Sequence, residues 1–147
     1  MWQLTKELGY SSNEADFGER LCHALRQPSS MVAVAEKGSL GLLGWVQATP
    51  RETLQADSCA ELTGLVVASQ ARRMGVGRRL VAEVEKWAQE MGLHTVVVRS
   101  NTQRVESHEF YKALGYDWTK SQHKYQRKLI GPRSGDSDNL SELERRN

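Results

Sequence analysis

Six consecutive residues, Arg72-Arg73-Met74-Gly75-Val76-Gly77, place full positive charges and two glycines directly before a long apolar-periodic segment. That combination suits an anion. A helix N-terminus offers backbone N–H groups without intrahelical partners, together with a partial positive charge. Gly75 and Gly77 lack the Cβ atoms that would hold a large anion off the backbone, and Arg78 and Arg79 add charge on the helix itself. A diphosphate is the ligand such a turn fits. The triphosphate-binding pattern G-x-x-x-x-G-K-[ST] is absent. A dinucleotide fingerprint needs a third glycine where Leu80 stands, and its motif belongs after an early strand of a βαβ unit.

The elements that must hold this turn follow from periodicity. Residues 1–8 form a short helix closed by Gly9, and residues 13–27 a second one, capped by Ser12 or Asn13, with Phe17, Leu21 and Leu25 on one face. Residues 31–35 and 40–48 read as two strands of a hairpin around Lys37-Gly38-Ser39, and residues 50–58 as a polar loop. Residues 61–68 are a third strand leading into the arginine-glycine turn. The helix after it runs over 75–91, with Leu80, Val84, Trp87 and Met91 as its buried stripe, supported by Val81 and Ala88. Residues 95–99, with three successive valines, read as a strand buried on both faces. A helix over 105–114 with Phe110 and Leu114 inward ends at Gly115. Residues 117–118 and 124–129 suggest two last short strands. From Gly131 the segment Gly-Pro-Arg-Ser-Gly-Asp-Ser-Asp has no apolar anchor, so 1–130 is expected to be one domain and 131–147 a disordered tail.

Three elements in order carry a resemblance. Leu65-Val66-Val67 precedes the turn, Ser100-Asn101 ends the next strand, and Phe110-Tyr111-Lys112-Ala113-Leu114-Gly115-Tyr116 follows. The stretch 61–129 resembles the core of the GNAT superfamily of N-acetyltransferases. Arg72 to Gly77 matches that family's [RQ]-x-x-G-x-[GA] signature, and Phe110 to Tyr116 is similar to its F-Y-x-x-x-G-[FY] element. The first half agrees in pattern only. The resemblance implies an α/β fold: a mixed, mostly antiparallel central sheet flanked by helices, with the strands at 61–68 and 95–99 parting to admit acetyl-coenzyme A. The family normally begins with a strand before its first helix. This chain starts inside that helix, so the usual first strand is expected to be lacking, and a homodimer is expected to cover the edge left open.

The resemblance also implies roles. Arg72, Arg73, Met74, Gly75, Val76, Gly77 and Arg78 bind the coenzyme pyrophosphate. The backbone of Leu65, Val66 and Val67 pairs with the pantetheine arm and polarises the thioester carbonyl. Tyr111 is the candidate general acid for the leaving thiolate, because a phenol held near the sulfur can supply the proton. Asn101 and Ser107 are placed to touch the coenzyme. Glu61, at the start of the central strand, is the candidate base for the amine, directly or through water; His108 is a weaker one, and His23, His94 and His123 read as structural. The expected reaction is acetyl transfer to a primary amine, with a small molecule the first expectation and a lysine side chain or protein N-terminus the second. A coenzyme-binding sensor without catalysis is the alternative from another class; it needs neither Tyr111 nor a base.

Composition bounds the rest. The 147 residues fit one domain, and 39% hydrophobic residues suffice for a core. The formal net charge of +2, and arginines without interleaved aromatics, argue against a nucleic-acid partner. No run of about 18 apolar residues occurs, so no membrane span is expected. Cys22 and Cys59 lack zinc-ligand or C-x-x-C spacing and read as two reduced, partly buried thiols of a cytoplasmic protein that needs no metal.

Overall fold

The computed structural model describes residues 1–7, 9 and 13–129. The expected tail therefore lies outside the described residues. Residues Met1–Asp117 form one compact unit. Within it, α1 (Trp2–Glu7) and α2 (Glu14–Arg26) precede β1 (Met31–Glu36), β2 (Leu42–Thr53) and β3 (Ala56–Val67). A long helix α3 (Val76–Glu90), a short strand β4 (Val96–Val98) and α4 (Val105–Ala113) follow. The sheet order is β1-β2-β3-β4, antiparallel in the first two pairs and parallel in the last, as the expected mixed, mostly antiparallel architecture requires. No strand precedes α1 among the described residues.

Local chemistry explains the boundaries. Asn13 caps α2: its side-chain oxygen accepts the Asp16 N–H at 2.8 Å. Side chains of β2 alternate between faces. A Cβ on Gly44 would lie 3.2 Å from Leu80 of α3, whereas the next residue, Trp45, meets Phe17 of α2 edge-on at 6.4 Å. The core lies between the sheet and α3, where Val46, Val81 and Val84 are fully buried beside Leu80 and Leu62. Each such side chain contributes about 1.5–3 kcal/mol through burial.

Six expectations are corrected. Residues 50–58 are not a loop: β2 and β3 continue as one long hairpin, with pairs out to Thr53 and Ala56. Its polar composition reflects exposure. Pro50 is tolerated because it faces Ala60, whose N–H goes instead to Thr95 O at 2.9 Å. Leu25 is exposed, and Ala24 takes the buried position on α2. Met91 is likewise exposed at the end of α3, because it lies at the helix cap, past the packed turns. The valines of β4 are only half-buried, since β4 is an edge strand. Cys22 is exposed and Cys59 buried; both are free. Finally, residues 118–129, the described part of the second unit Trp118–Asn147, contain no strand, and Trp118, Tyr125 and Leu129 are exposed.

Candidate active site

The strands β3 and β4 pair from Ala60↔Val96 to Leu62↔Val98 and then separate. At that point the register of β2 and β3 shifts: Ala48 faces Leu62 and Gln47 faces Gly64, leaving Thr63 as the extra residue of a β-bulge. The bulge changes which backbone groups point where. Below it, the Ala60 N–H points toward β4, to Thr95 O at 2.9 Å. Above it, the Ala68 N–H points the other way, to Leu43 O of β2 at 2.8 Å. Alternation then turns the N–H and C=O groups of Leu65 and Val67 away from β2. They face the gap that β4 has left.

That gap opens into a cleft of about 1550 Å³. Its walls include Leu65, Val66 and Val67 of β3, Arg72, Arg73, Gly75, Val76, Gly77 and Arg78 at the start of α3, and Asn101, Ser107 and Tyr111 from β4 to α4. Among the expected site residues, Met74 and Glu61 do not line it. Met74 is half-exposed beside the turn. Glu61 sits below the split, where its two carboxylate oxygens contact Arg99 Nη1 at 3.4 Å and Arg51 Nε at 3.6 Å.

The start of α3 is unusual for a helix. Gly75 occupies the N-cap in the left-handed region (φ 78°), with no side-chain cap, and the first turn contains no acidic residue. The first intrahelical bond is from Arg79 N–H to Gly75 O, so the amides of Val76, Gly77 and Arg78 come before it. Arg78 and Arg79 place like charge on the positive end of the dipole, the reverse of the stabilising pattern. Arg73 also holds a positive φ of 62°, rare for a non-glycine residue. An anion at this turn would offset the first two costs. Gly77 serves a second purpose: a Cβ there would lie 3.1 Å from the Phe110 ring, so α4 packs directly on the turn.

Tyr111 follows Phe110, and their rings meet edge-to-face at 5.1 Å. Its hydroxyl has no hydrogen-bond partner among the described residues, and burial raises its pKa above that of free tyrosine while Arg104 opposes this. The phenol therefore stays protonated at neutral pH. On its other side the Tyr116 ring stands 5.7 Å away, and the Tyr116 O–H donates to Glu85 Oε1 at 3.0 Å. Burial, then that hydrogen bond, raises the Tyr116 pKa as well.

Asn101 is largely committed to the turn before α4. Its Oδ1 accepts the Gln103 N–H and its carbonyl the Arg104 N–H, both at 2.9 Å, and His108 Nε2 lies 2.9 Å from that carbonyl. The neighbouring Ser100 Oγ is buried, lines the cleft and lacks a partner among the described residues. Arg99 and Arg104 carry no motif, and Ser100 was part of the Ser100-Asn101 element without a role of its own; their position just past a strand end, where α/β folds bind ligands, was the available signal. The bulge had one too, a glycine inside a strand pattern at Gly64.

Comparison with known proteins identifies the family and the fold. The acetyltransferase (GNAT) family model matches residues 1–116. The chain belongs to the GNAT acetyltransferase family. An aminoglycoside N(6')-acetyltransferase type 1 from Serratia marcescens is 31% identical over 77 residues, which cover 52% of each chain. The chain thus spans about half the length of that curated relative. The apo aminoglycoside 6'-N-acetyltransferase AAC(6')-IG from Acinetobacter haemolyticus shares the fold with a TM-score of 0.73 at 21% identity, covering 82% of this chain and 86% of that one. AAC(6')-Iy in complex with the bisubstrate analogue CoA-S-monomethyl-acetylneamine superposes with a TM-score of 0.76 at 20% identity, over 86% and 88%. No helix among the described residues is long and apolar enough to cross a membrane.

Proposed function

We propose that this chain is an acetyl-coenzyme-A-dependent N-acyltransferase that moves an acetyl group to a primary amine within a ternary complex. One observation carries the reading. A single cleft joins the uncapped, arginine-flanked start of α3, the unpaired backbone of β3 and the Tyr111 side chain. The amides of Val76, Gly77 and Arg78, with Arg72, Arg73 and Met74 completing the turn, hold the pyrophosphate. Leu65 and Val67 pair with the pantetheine amides, Val66 anchors the wall from the core, and Ser100, Asn101 and Ser107 line the opposite side. Acetyl-coenzyme A supplies the activated thioester.

A backbone N–H of β3 beside the bulge stabilises charge developing on the acetyl oxygen. The amine lone pair forms the C–N bond while the C–S bond breaks. The nitrogen loses its proton to water, and Tyr111 gives one to the sulfur and regains it from solvent. Glu61 takes part only through water, since both its oxygens face arginines. A small-molecule amine is the preferred acceptor, in line with the relatives' names. The reading extends to a cytoplasmic homodimer. Two unpaired thiols fit a reducing compartment, and a partner copy would cover open sheet edges at β1 and β4.

Calorimetry with acetyl-coenzyme A should give a binding heat and a raised Tm, and an amine panel should release free thiol. Neither heat nor thermal protection at millimolar ligand would refute the proposal.

A further inference from the structure

Resting on the coenzyme reading above, we infer that the acceptor is an amine bearing a carboxylate or phosphate, held by Arg20 and the Trp45 indole N–H. The cleft does not end at the split in the sheet. It continues over Thr63 and Gly64 to the α1–α2 side, where Thr5, Phe17, Arg20, Trp45 and Gln47 line it. No carboxylate lines this part among the described residues, and Arg20 has no ion-pair partner there. Trp45 is 8% exposed, yet its Nε1 is buried without a hydrogen-bond partner.

Both groups only donate hydrogen bonds. A buried N–H left unpaired is costly, and because Trp45 is a wall residue of the cleft, a ligand oxygen that reached that edge of the ring would relieve the cost. The two hydroxyls nearby already donate elsewhere: Thr5 to Met1 O at 3.0 Å, and Thr63 to Gln47 O at 3.3 Å. The unmet capacity is therefore one full positive charge and one neutral donor, with the Gln47 side-chain amide beside them able to donate or accept. An oxyanion satisfies both. A polycationic amine satisfies neither and is repelled by Arg20.

The cleft does not stop at Arg20. A second hollow of about 490 Å³ shares Arg20, Ala24 and Gln47 with it and runs between α2 and the end of β2. There the Ser30 Oγ is also buried without a partner among the described residues. An acceptor longer than an amino acid would meet the Ser30 hydroxyl there, and the Glu19 carboxylate that lines the same hollow would disfavour a second anionic group beyond Arg20.

Matched pairs test this. Glucosamine 6-phosphate against glucosamine isolates a phosphate, glycylglycine against its amide isolates a carboxylate, and neamine supplies a polycation. The charged member of at least one pair should show a roughly tenfold or greater advantage in kcat/KM, the size expected of a charge-assisted hydrogen bond; which pair responds separates phosphate from carboxylate. Arg20→Gln should erase that advantage through KM and leave acetyl-coenzyme A affinity unchanged. Trp45→Phe, which keeps an aromatic ring at the site but removes the N–H, should reduce it in part. Equal efficiency within both pairs, or preference for neamine, would overturn the inference. So would the absence of turnover with every amine while acetyl-coenzyme A still raises Tm. A failure of acetyl-coenzyme A to raise Tm would instead remove the coenzyme reading, and this one with it.

Discussion

The two ends of the cleft use different materials. At the α3 end the groups left free are mostly main chain: amides before the first helical bond, and strand amides turned outward by one extra residue. At the α2 end they are side chains, Arg20, Trp45 and Gln47, on elements with no shared signature. Backbone recognition needs particular conformations and therefore particular residues, above all glycine. Side-chain recognition needs only a position, which any residue can fill. On the proposed reading, the first end recognises a common coenzyme part, and the second leaves acceptor choice to side chains.

Three changes test the contrast, beginning with the largest effect. Tyr111→Phe should lower kcat by about 100-fold or more while the acetyl-coenzyme A Kd stays within a factor of about two, because only proton delivery is lost. Steady-state kinetics beside calorimetry decides it; unchanged kcat removes the acid role. Gly77→Val should weaken acetyl-coenzyme A binding by roughly tenfold, because the added atoms meet Phe110 and crowd the anion approach. Titration calorimetry reads that, and wild-type affinity would show that the turn does not bind the coenzyme through its backbone.

The smallest effect concerns pH. Burial raises the pKa of both Tyr111 and Tyr116 in the folded protein. Their contribution to stability is therefore complete below the unfolded phenol pKa of about 10 and declines as pH rises beyond it, since the unfolded chain ionises first. Tm should be flat near neutrality and fall in alkali, and Tyr116→Phe should make that fall shallower. An unchanged alkaline slope in that variant would remove Tyr116 from the account.

The sequence was legible where conformation restricts residue choice. Arg72 to Gly77 announced the turn, and the apolar period announced α3, because left-handed backbone and close approach leave few alternatives. The long β2–β3 hairpin was hidden because its outer residues are exposed on both sides, so its polar residues show no alternation to read. Glu61 was legible as a carboxylate near the central strand, but its two arginine partners lie 10 and 38 residues away and only pairing brings them in. Trp45 and Arg20 were invisible as site residues for the same reason. A tryptophan in a strand reads as core until a neighbouring helix leaves its N–H without a partner.

The extra residue at position 63 has a consequence for variation. Below it β3 pairs with β2 and, over residues 60–62, with β4; above it β3 pairs with β2 alone, in a register one residue out of step. Insertions or deletions at the distant hairpin tip around Leu54 and Gln55 are absorbed in the lower frame and do not slide the upper one. The hairpin can therefore lengthen, shorten or acquire new specificity in descendants of this chain while the amides of Leu65 and Val67 keep their aim.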